Sequence, residues 1–297
     1  MLGVSGVLAV RSADRRILPD AATDTLSAMP RWLRTLLHLT PIVAAASAAA
    51  VVGLIMFRQV VDVSTFGGSS NDLGNYLQTV GGIYAVLLAF IVYVVWGQFN
   101  EARGYVEREA AAVVDLHRVA GGLATATQKV IQDGLAAYLD AVLAEEWTAM
   151  AKRDEATVER VGQHLDRVWL AIHRHRPTDA CEQQIYGEVL ARYNEVADLR
   201  ISRLTSARFR VPMNMRILLY AGAVIVVGSM YLIWIPKLWV HATVTGALAG
   251  AVAHVLYLIE DLDDAFHGHL QVDKTAYVRA RRTLDRNKHL LDDAACA

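Results

Sequence analysis

Charged residues and cysteine are both scarce in this 297-residue chain. Asp, Glu, Lys and Arg make up 20% of it and hydrophobic residues 54%, whereas charged residues make up roughly a quarter of a typical soluble domain. The formal net charge of −1 gives no field that would favour nucleic acid, and none is expected as a partner. The two cysteines, Cys181 and Cys296, form no CxxC pair and are expected to be free thiols.

Sequence motifs of enzymes are also missing. The chain contains no glycine-rich phosphate loop, no GxSxG and no HExxH. His267 and His269 stand beside Asp263 and Asp264, but a group of this kind is more often solvent-exposed than metal-binding. We therefore predict that the protein is not an enzyme and needs no cofactor. A bound Ca²⁺ is the one ligand that the sequence leaves open.

Four apolar windows are each long enough to cross a bilayer as a helix. They cover residues 36–57, 79–99, 217–235 and 238–259. No residue between Gln78 and Asn100 is charged, and beyond Glu101 apolar residues recur at helical spacing with no proline to end the helix. This pattern predicts one long helix that leaves the membrane and continues into water.

The predicted fold is an all-α membrane protein with four transmembrane helices and a cytoplasmic helical bundle inserted between the second and third. The segments are an amino-terminal tail (1–35), spans one and two (36–99), the cytoplasmic helical domain (100–210), spans three and four (211–260) and a carboxyl-terminal tail (261–297). Helices are predicted in the inserted domain up to residue 121 and at 127–152, 155–175 and 179–208, with breaks at Gly121-Gly122 and near Pro177. Residues 58–78 are interpreted as a loop because of their Gly, Ser, Asn and Asp content.

Basic residues are concentrated on one side of the predicted spans. Arg31 and Arg34 precede the first span and five arginines precede the third, whereas Arg58 alone follows the first and Lys237 alone separates the third from the fourth. The positive-inside rule then puts both termini and the helical domain in the cytoplasm. The sequence thus predicts a multi-pass protein of the cell membrane, surrounded by lipid.

Two sets of residues within the spans invite a functional interpretation. Gly246 and Gly250 form a GxxxG pair, which favours close helix packing, and His254 on the same face is an ionisable residue inside a span. On the second span, one face carries four apolar residues at helical spacing: Ile83, Leu87, Phe90 and Val94. Such a face from several subunits can form a constriction that gates by dewetting, or it can simply pack on the other spans, which periodicity alone favours.

The acidic run EDLDD at 260–264 follows the fourth span, where negative charge opposes the helix macrodipole. Either the helix ends near Ile259 and the acids cap the next element, or they have cationic partners. The partners considered are arginines of the insert, Arg200 and Arg203, or a bound Ca²⁺, which prefers such oxygen ligands. Salt bridges are the simpler alternative.

Several of these segments resemble the bestrophin-like (DUF4239) family. The matching features are the glycine and LLAF step of the second span with Trp96 and the Glu-Ala-Arg turn at 101–103, RISRL at 200–204, and LDDAFHG at 262–268, in which Ala265 replaces an expected proline. The resemblance implies a pentameric, anion-conducting channel whose second span lines the pore. It makes Ile83, Leu87, Phe90 and Val94 the neck candidates and Asp261, Asp263 and Asp264 the Ca²⁺ candidates.

These features of the sequence lead to two hypotheses of function. The first is an oligomeric ion channel, conducting chloride or other anions through an axial pore lined by the second span of a homo-pentamer. The alternative is a membrane-anchored sensor or scaffold that signals through its cytoplasmic helical domain. Oligomeric state and an axial water path distinguish the two.

Overall fold

The structure is a computed structural model that describes residues 31–62 and 70–295. Within these ranges every regular element is helical. The helices are α1 (Arg31–Val60), α2 (Ser70–Val119), α3 (Thr125–Ala141), α4 (Trp147–Lys152), α5 (Glu155–Arg174), α6 (Ala180–Arg208), α7 (Met213–Leu232), α8 (Leu238–Asp263) and α9 (Thr275–Ala295). A 3₁₀ turn (Ala120–Gly122) follows α2, and a π-helical segment (Val142–Glu146) joins α3 to α4.

Four of these helices contain windows long and apolar enough to cross a membrane. The membrane layer consists of α1, the first part of α2, α7 and α8. Helix α1 packs along α8, and α2 packs on both α7 and α8. Their shared core contains Tyr84, Leu88, Ile91 and Val95 of α2. The sequence-based prediction of a helical protein with four helices able to span a membrane is confirmed for the described residues.

The second half of α2 belongs to a different unit, which we call the insert bundle (residues 101–208 together with α9). Its core is formed by α2, α3, α5 and α6 and is closed on one side by α9. At 50 residues, α2 is about 75 Å long, so one helix runs through the spans and the bundle, as the uninterrupted periodicity beyond Glu101 predicts.

The breaks between the bundle helices also lie where the sequence predicts them. Asp179 caps α6 by accepting a hydrogen bond from the N–H of Glu182 at 2.8 Å, which satisfies one of the free donors of the first turn. Asp154 caps α5 in the same way through Thr157. Arg153, with φ 58°, is the left-handed residue that ends α4.

One boundary prediction is wrong, and one boundary that the sequence left open is fixed by the structure. The part of the predicted loop that covers 70–78 is helical, because Asp72 suits the positive end of α2 and Leu77 packs against the core of the spans. Helix α8 does not end near Ile259 but continues to Asp263. The loop residues 63–69 and Cys296 lie outside the described residues.

Candidate functional site

One side of α2 is left open by the other spans. Its buried side is held by Tyr84, whose hydroxyl donates to the carbonyl of Leu219 at 2.8 Å. On the other side Val86 is 72% exposed and Tyr93 76% exposed. We call this side, from Gly82 to Gly97, the open face of α2; its large members are Ile83, Val86, Phe90, Tyr93 and Trp96. The described part of the chain leaves each of these large side chains more than half exposed.

The four predicted neck residues are divided between two environments. Ile83 and Phe90 lie on the open face, 68% and 56% exposed. Leu87 and Val94 are partly buried at its edge, and Leu87 packs against the core of the spans. The predicted stripe therefore lies partly on the open face and partly at its edge, and Val86 and Tyr93 are further members of that face.

Beyond the membrane window the exposed side of α2 is polar but electrically balanced. Arg103 pairs with Glu107 at 3.0 Å, and Arg118 lies 3.7 Å from Asp115. The hydroxyl of Tyr105 donates to Glu101 at 2.6 Å. Because each of these two arginines has a carboxylate one turn away, this surface has no strong fixed charge of either sign.

The acidic run at the end of α8 is paired with arginines that precede and begin α7. Asp264 forms an ion pair with Arg210, and Asp263 forms one with Arg216. Asp263 also accepts the N–H of Val211 at 2.6 Å. The acidic run therefore has cationic partners, which was one of the alternatives that the sequence left open. The partners are Arg210 and Arg216, whereas the expected Arg200 and Arg203 pair with other carboxylates in the insert bundle.

Asp261 organises the turn that follows. Its two carboxylate oxygens accept the N–H groups of His269 and Leu270 at 2.9 and 3.0 Å. Gly268, with φ 101°, makes this turn possible, and a Cβ there would lie 2.6 Å from Asp261 Oδ1. No group of three or more metal-ligating side chains occurs among the described residues. An ion at Asp261, Asp263 and Asp264 would have to displace these contacts.

The predicted packing residues of α8 lie against α1. The hydroxyl of Ser47 donates to the carbonyl of Gly246 at 2.9 Å. A Cβ on Gly250 would come within 2.7 Å of that hydroxyl oxygen, so neither helix has room for a larger side chain there. His254 is exposed on the surface of the chain, whereas His241, which the sequence left aside, is fully buried and contacts the carbonyl of Met230 at 2.8 Å.

A comparison with protein families identifies this arrangement. The profile of the Bestrophin-like domain matches residues 44–277, a range that begins in α1 and ends in α9. The chain belongs to the Bestrophin-like family. No curated protein matches it.

Solved structures share the Bestrophin-like fold. A bacterial bestrophin homologue from Klebsiella pneumoniae, solved by Zn-SAD phasing, has a TM-score of 0.60 and 16% sequence identity, with 84% of this chain and 97% of that chain covered. A single-substitution variant of the Klebsiella homologue gives a TM-score of 0.63 at 16% identity, with 82% and 97% covered. At this identity the likeness establishes the fold alone.

This Bestrophin-like chain also buries an ionic cluster in the insert bundle that sequence reasoning missed. Arg203 of α6 is fully buried and donates to Glu109 of α2 and to Glu146 of the π-helical segment, each at 2.7 Å. The hydroxyl of Tyr138 donates to Glu109, and Arg200 pairs with the other oxygen of Glu146. The cluster thus joins three separate helical segments through buried charges.

The surroundings of Arg203 favour its charged form. Burial disfavours a charged guanidinium, but the carboxylates of Glu109 and Glu146 outweigh it and raise the pKa of Arg203 well above its usual value. Burial, followed by the charge of Glu109, raises the pKa of Tyr138 in the same direction, so its hydroxyl remains a donor. A sequence signal existed: Glu109 interrupts the otherwise apolar stripe of Val106, Ala110 and Val113.

Proposed function

We propose that this Bestrophin-like protein is an oligomeric ion channel whose axial pore is lined by α2. The observation that carries the proposal is the open face of α2. It is apolar through the membrane window, and it continues without a break into a polar surface on the same helix. A pore wall needs this combination, since its narrow part works by excluding water and its vestibule is wet.

The proposal requires several copies of the chain. One protomer leaves Phe90 and Tyr93 exposed on a single helix, and one helix cannot enclose a pore. Symmetric rings of identical subunits are the usual way to do so, and the resemblance to bestrophin channels implies five. Ile83 and Phe90 then point toward the axis, and Leu87 and Val94 support them from the edge.

Anion conduction is part of the proposal because the family resemblance implies it. The balanced charges of Arg103, Glu107, Asp115 and Arg118 give a vestibule without strong cation attraction. Positive-inside asymmetry supports a cytoplasmic position of the insert bundle and of both termini. Asp261, Asp263 and Asp264 remain the candidates for Ca²⁺, which would act by competing with Arg210 and Arg216.

Reconstitution of the purified protein in planar lipid bilayers tests conduction. We expect single-channel currents that reverse near the chloride equilibrium potential. Phe90→Ala widens the apolar constriction and should change the unitary conductance several-fold. The matched control is Val224→Ala, because Val224 is 72% exposed on α7 and is expected to face lipid. Well-folded oligomers that give silent bilayers would refute the channel.

The rival hypothesis remains a membrane-anchored sensor or scaffold. It is supported by the size of the insert bundle and by the continuity of α2 between the spans and the bundle. Rotational symmetry of the purified particle separates the two, since a monomer or dimer has no axial pore.

A further inference from the structure

A groove on the insert bundle, away from α2, is not used by the proposed pore. Helices α3 and α5 touch at Gly134, where a Cβ would lie 2.7 Å from a methyl carbon of Val168. Between this contact and the start of α3, a groove of about 610 Å³ opens along the surface. We call it the tip groove; its lining residues include Val130, Arg167, Leu170, Arg174 and Arg176.

The tip groove is positively charged. Arg167 and Arg174 project from α5, and Arg176 follows it; all three are exposed, and no Asp or Glu lines the groove. The Nη1 atom of Arg176 donates to the carbonyls of His173 and His175 at 3.0 and 3.1 Å, which holds its side chain at the rim. Asp166, the neighbouring acid, lies near Tyr193 of α6 instead.

The groove is remote from the spans. Helix α2 continues for 20 residues beyond Phe99 before it ends at Val119, which corresponds to about 30 Å. The tip groove lies at the start of the next helix, and this end of the bundle is held by Glu182, which accepts the N–H of Ala124 at 3.0 Å. At that distance, nearly four Debye lengths at physiological ionic strength, lipid headgroups are not its ligand.

The depth of the groove distinguishes between classes of ligand. Its apolar floor is shallow, since Val130 is 51% exposed and Leu170 46% exposed, whereas small-molecule sites bury about 70–90% of their ligand. Single-stranded nucleic acid is held by stacking on aromatic side chains, and the lining of the groove contains none besides His175. A shallow apolar floor with a basic rim fits an amphipathic protein segment.

We propose that the tip groove binds an acidic, amphipathic protein segment. Its carboxylates would pair with Arg167, Arg174 and Arg176, and its apolar side chains would lie on Val130 and Leu170. Arg167 and Arg174 are two helical turns apart, about 10 Å, so acids at positions i and i+7 of a helical ligand match them. This proposal does not depend on ion conduction.

Fluorescence anisotropy with the full-length protein in detergent tests the proposal. The probe is a labelled helical peptide with Glu at i and i+7 and Leu on the adjoining face, and its control carries Gln for Glu. The Glu peptide should bind at least about tenfold more tightly, because charge-assisted hydrogen bonds are roughly twice as strong as neutral ones. The difference should shrink with added salt.

Variants of the groove give the decisive comparison. Arg167→Glu with Arg174→Glu should weaken binding by at least about tenfold, and Leu170→Ser by several-fold. Arg282→Glu, a reversal at an exposed arginine of α9 outside the groove, should leave it unchanged. All four substituted positions are exposed, so unchanged elution and thermal unfolding are expected to show intact folding.

Five outcomes would overturn the proposal. Equal binding of the Glu and Gln peptides, or no binding, removes the acidic segment as ligand. Unlabelled peptide, inorganic pyrophosphate and a single-stranded oligonucleotide are compared as competitors of the probe. If pyrophosphate or the oligonucleotide displaces the probe at a lower concentration than the peptide does, the groove binds phosphate compounds or nucleic acid instead. Loss of the oligomer in the Arg167→Glu, Arg174→Glu variant means that a second copy of the chain occupies it.

Discussion

The insert bundle and the membrane layer differ in how far their apolar residues are buried within the chain. In the bundle the apolar face of α3 is covered, and Ile131, Leu135 and Leu139 are fully buried within the chain. In the membrane layer only 17–39% of each apolar window is buried. The bundle therefore carries its own stability, whereas the spans need lipid or further copies of the chain to cover them.

The two regions also differ in where their charged residues lie. The bundle accepts a fully buried Arg203 because two carboxylates lie within 2.7 Å of it, and the described membrane windows keep their ion pairs at the ends, as at Asp263 and Arg216. An exposed apolar residue of the spans is covered either by lipid or by another copy of the chain, whereas the buried charges are the informative feature of the bundle.

Removing the buried cation should have the largest effect. Arg203→Met leaves Glu109 and Glu146 buried without their principal partner, which should lower the free energy of unfolding by about 3–5 kcal/mol. Thermal unfolding of the detergent-solubilised protein measures this loss. The exposed Arg282→Met should shift the transition little. Equal shifts for both variants would show that the bundle does not depend on its buried charges.

Packing between the spans should be the next most sensitive feature. A Cβ on Gly222 of α7 would lie 2.5 Å from the ring of Tyr84, whereas nothing lies within 4 Å of the corresponding position on Gly228. Gly222→Ala should therefore destabilise the protein by about 1–3 kcal/mol through overpacking.

Gly228→Ala on the same helix is the matched control for this prediction. It meets open space, so it should be neutral or slightly stabilising through its better helix propensity. Both variants are compared by the temperature at which half of the solubilised protein has aggregated. A neutral Gly222→Ala would contradict the close packing of α7 on α2.

The smallest effect is expected at the end of the bundle remote from the spans. Hydrogen bonds from Thr178 lower the pKa of Glu182 below its ordinary 4.5. A depressed carboxyl pKa contributes stability that is fully present above 4.5 and is lost as the pH falls toward the lower folded value. Thr178→Val should flatten this decline, as measured by thermal unfolding between pH 7 and 3.

The architecture could be predicted from the sequence because each helix is indicated by the pattern of residues within it. The uncharged stretch from 79 to 99 and the apolar periodicity after Glu101 are properties of neighbouring residues, as is the cap at Asp179. Contacts between distant segments have no such signal. Arg216 pairs with Asp263, 47 residues away, and Arg203 reaches Glu109 across 94.

For a related reason, the sequence could not predict which face of α2 is exposed. Ile83, Leu87, Phe90 and Val94 are all apolar, and so are Tyr84, Leu88 and Val95 on the buried side. When a helix is apolar all round, periodicity cannot say which face is covered. Contacts with other spans, such as the hydrogen bond from Tyr84 to Leu219, fix the rotation of α2, and Val86 and Tyr93 are exposed.

Thiol accessibility of the open face tests the central claim most directly. In a background with Cys181 and Cys296 changed to Ser, Phe90→Cys and Val224→Cys are each treated with a charged, water-soluble thiol reagent while current across a planar bilayer is recorded. A pore lined by α2 predicts block at Phe90→Cys and none at Val224→Cys. Unmodified current at Phe90→Cys, or equal block at both positions, would contradict it.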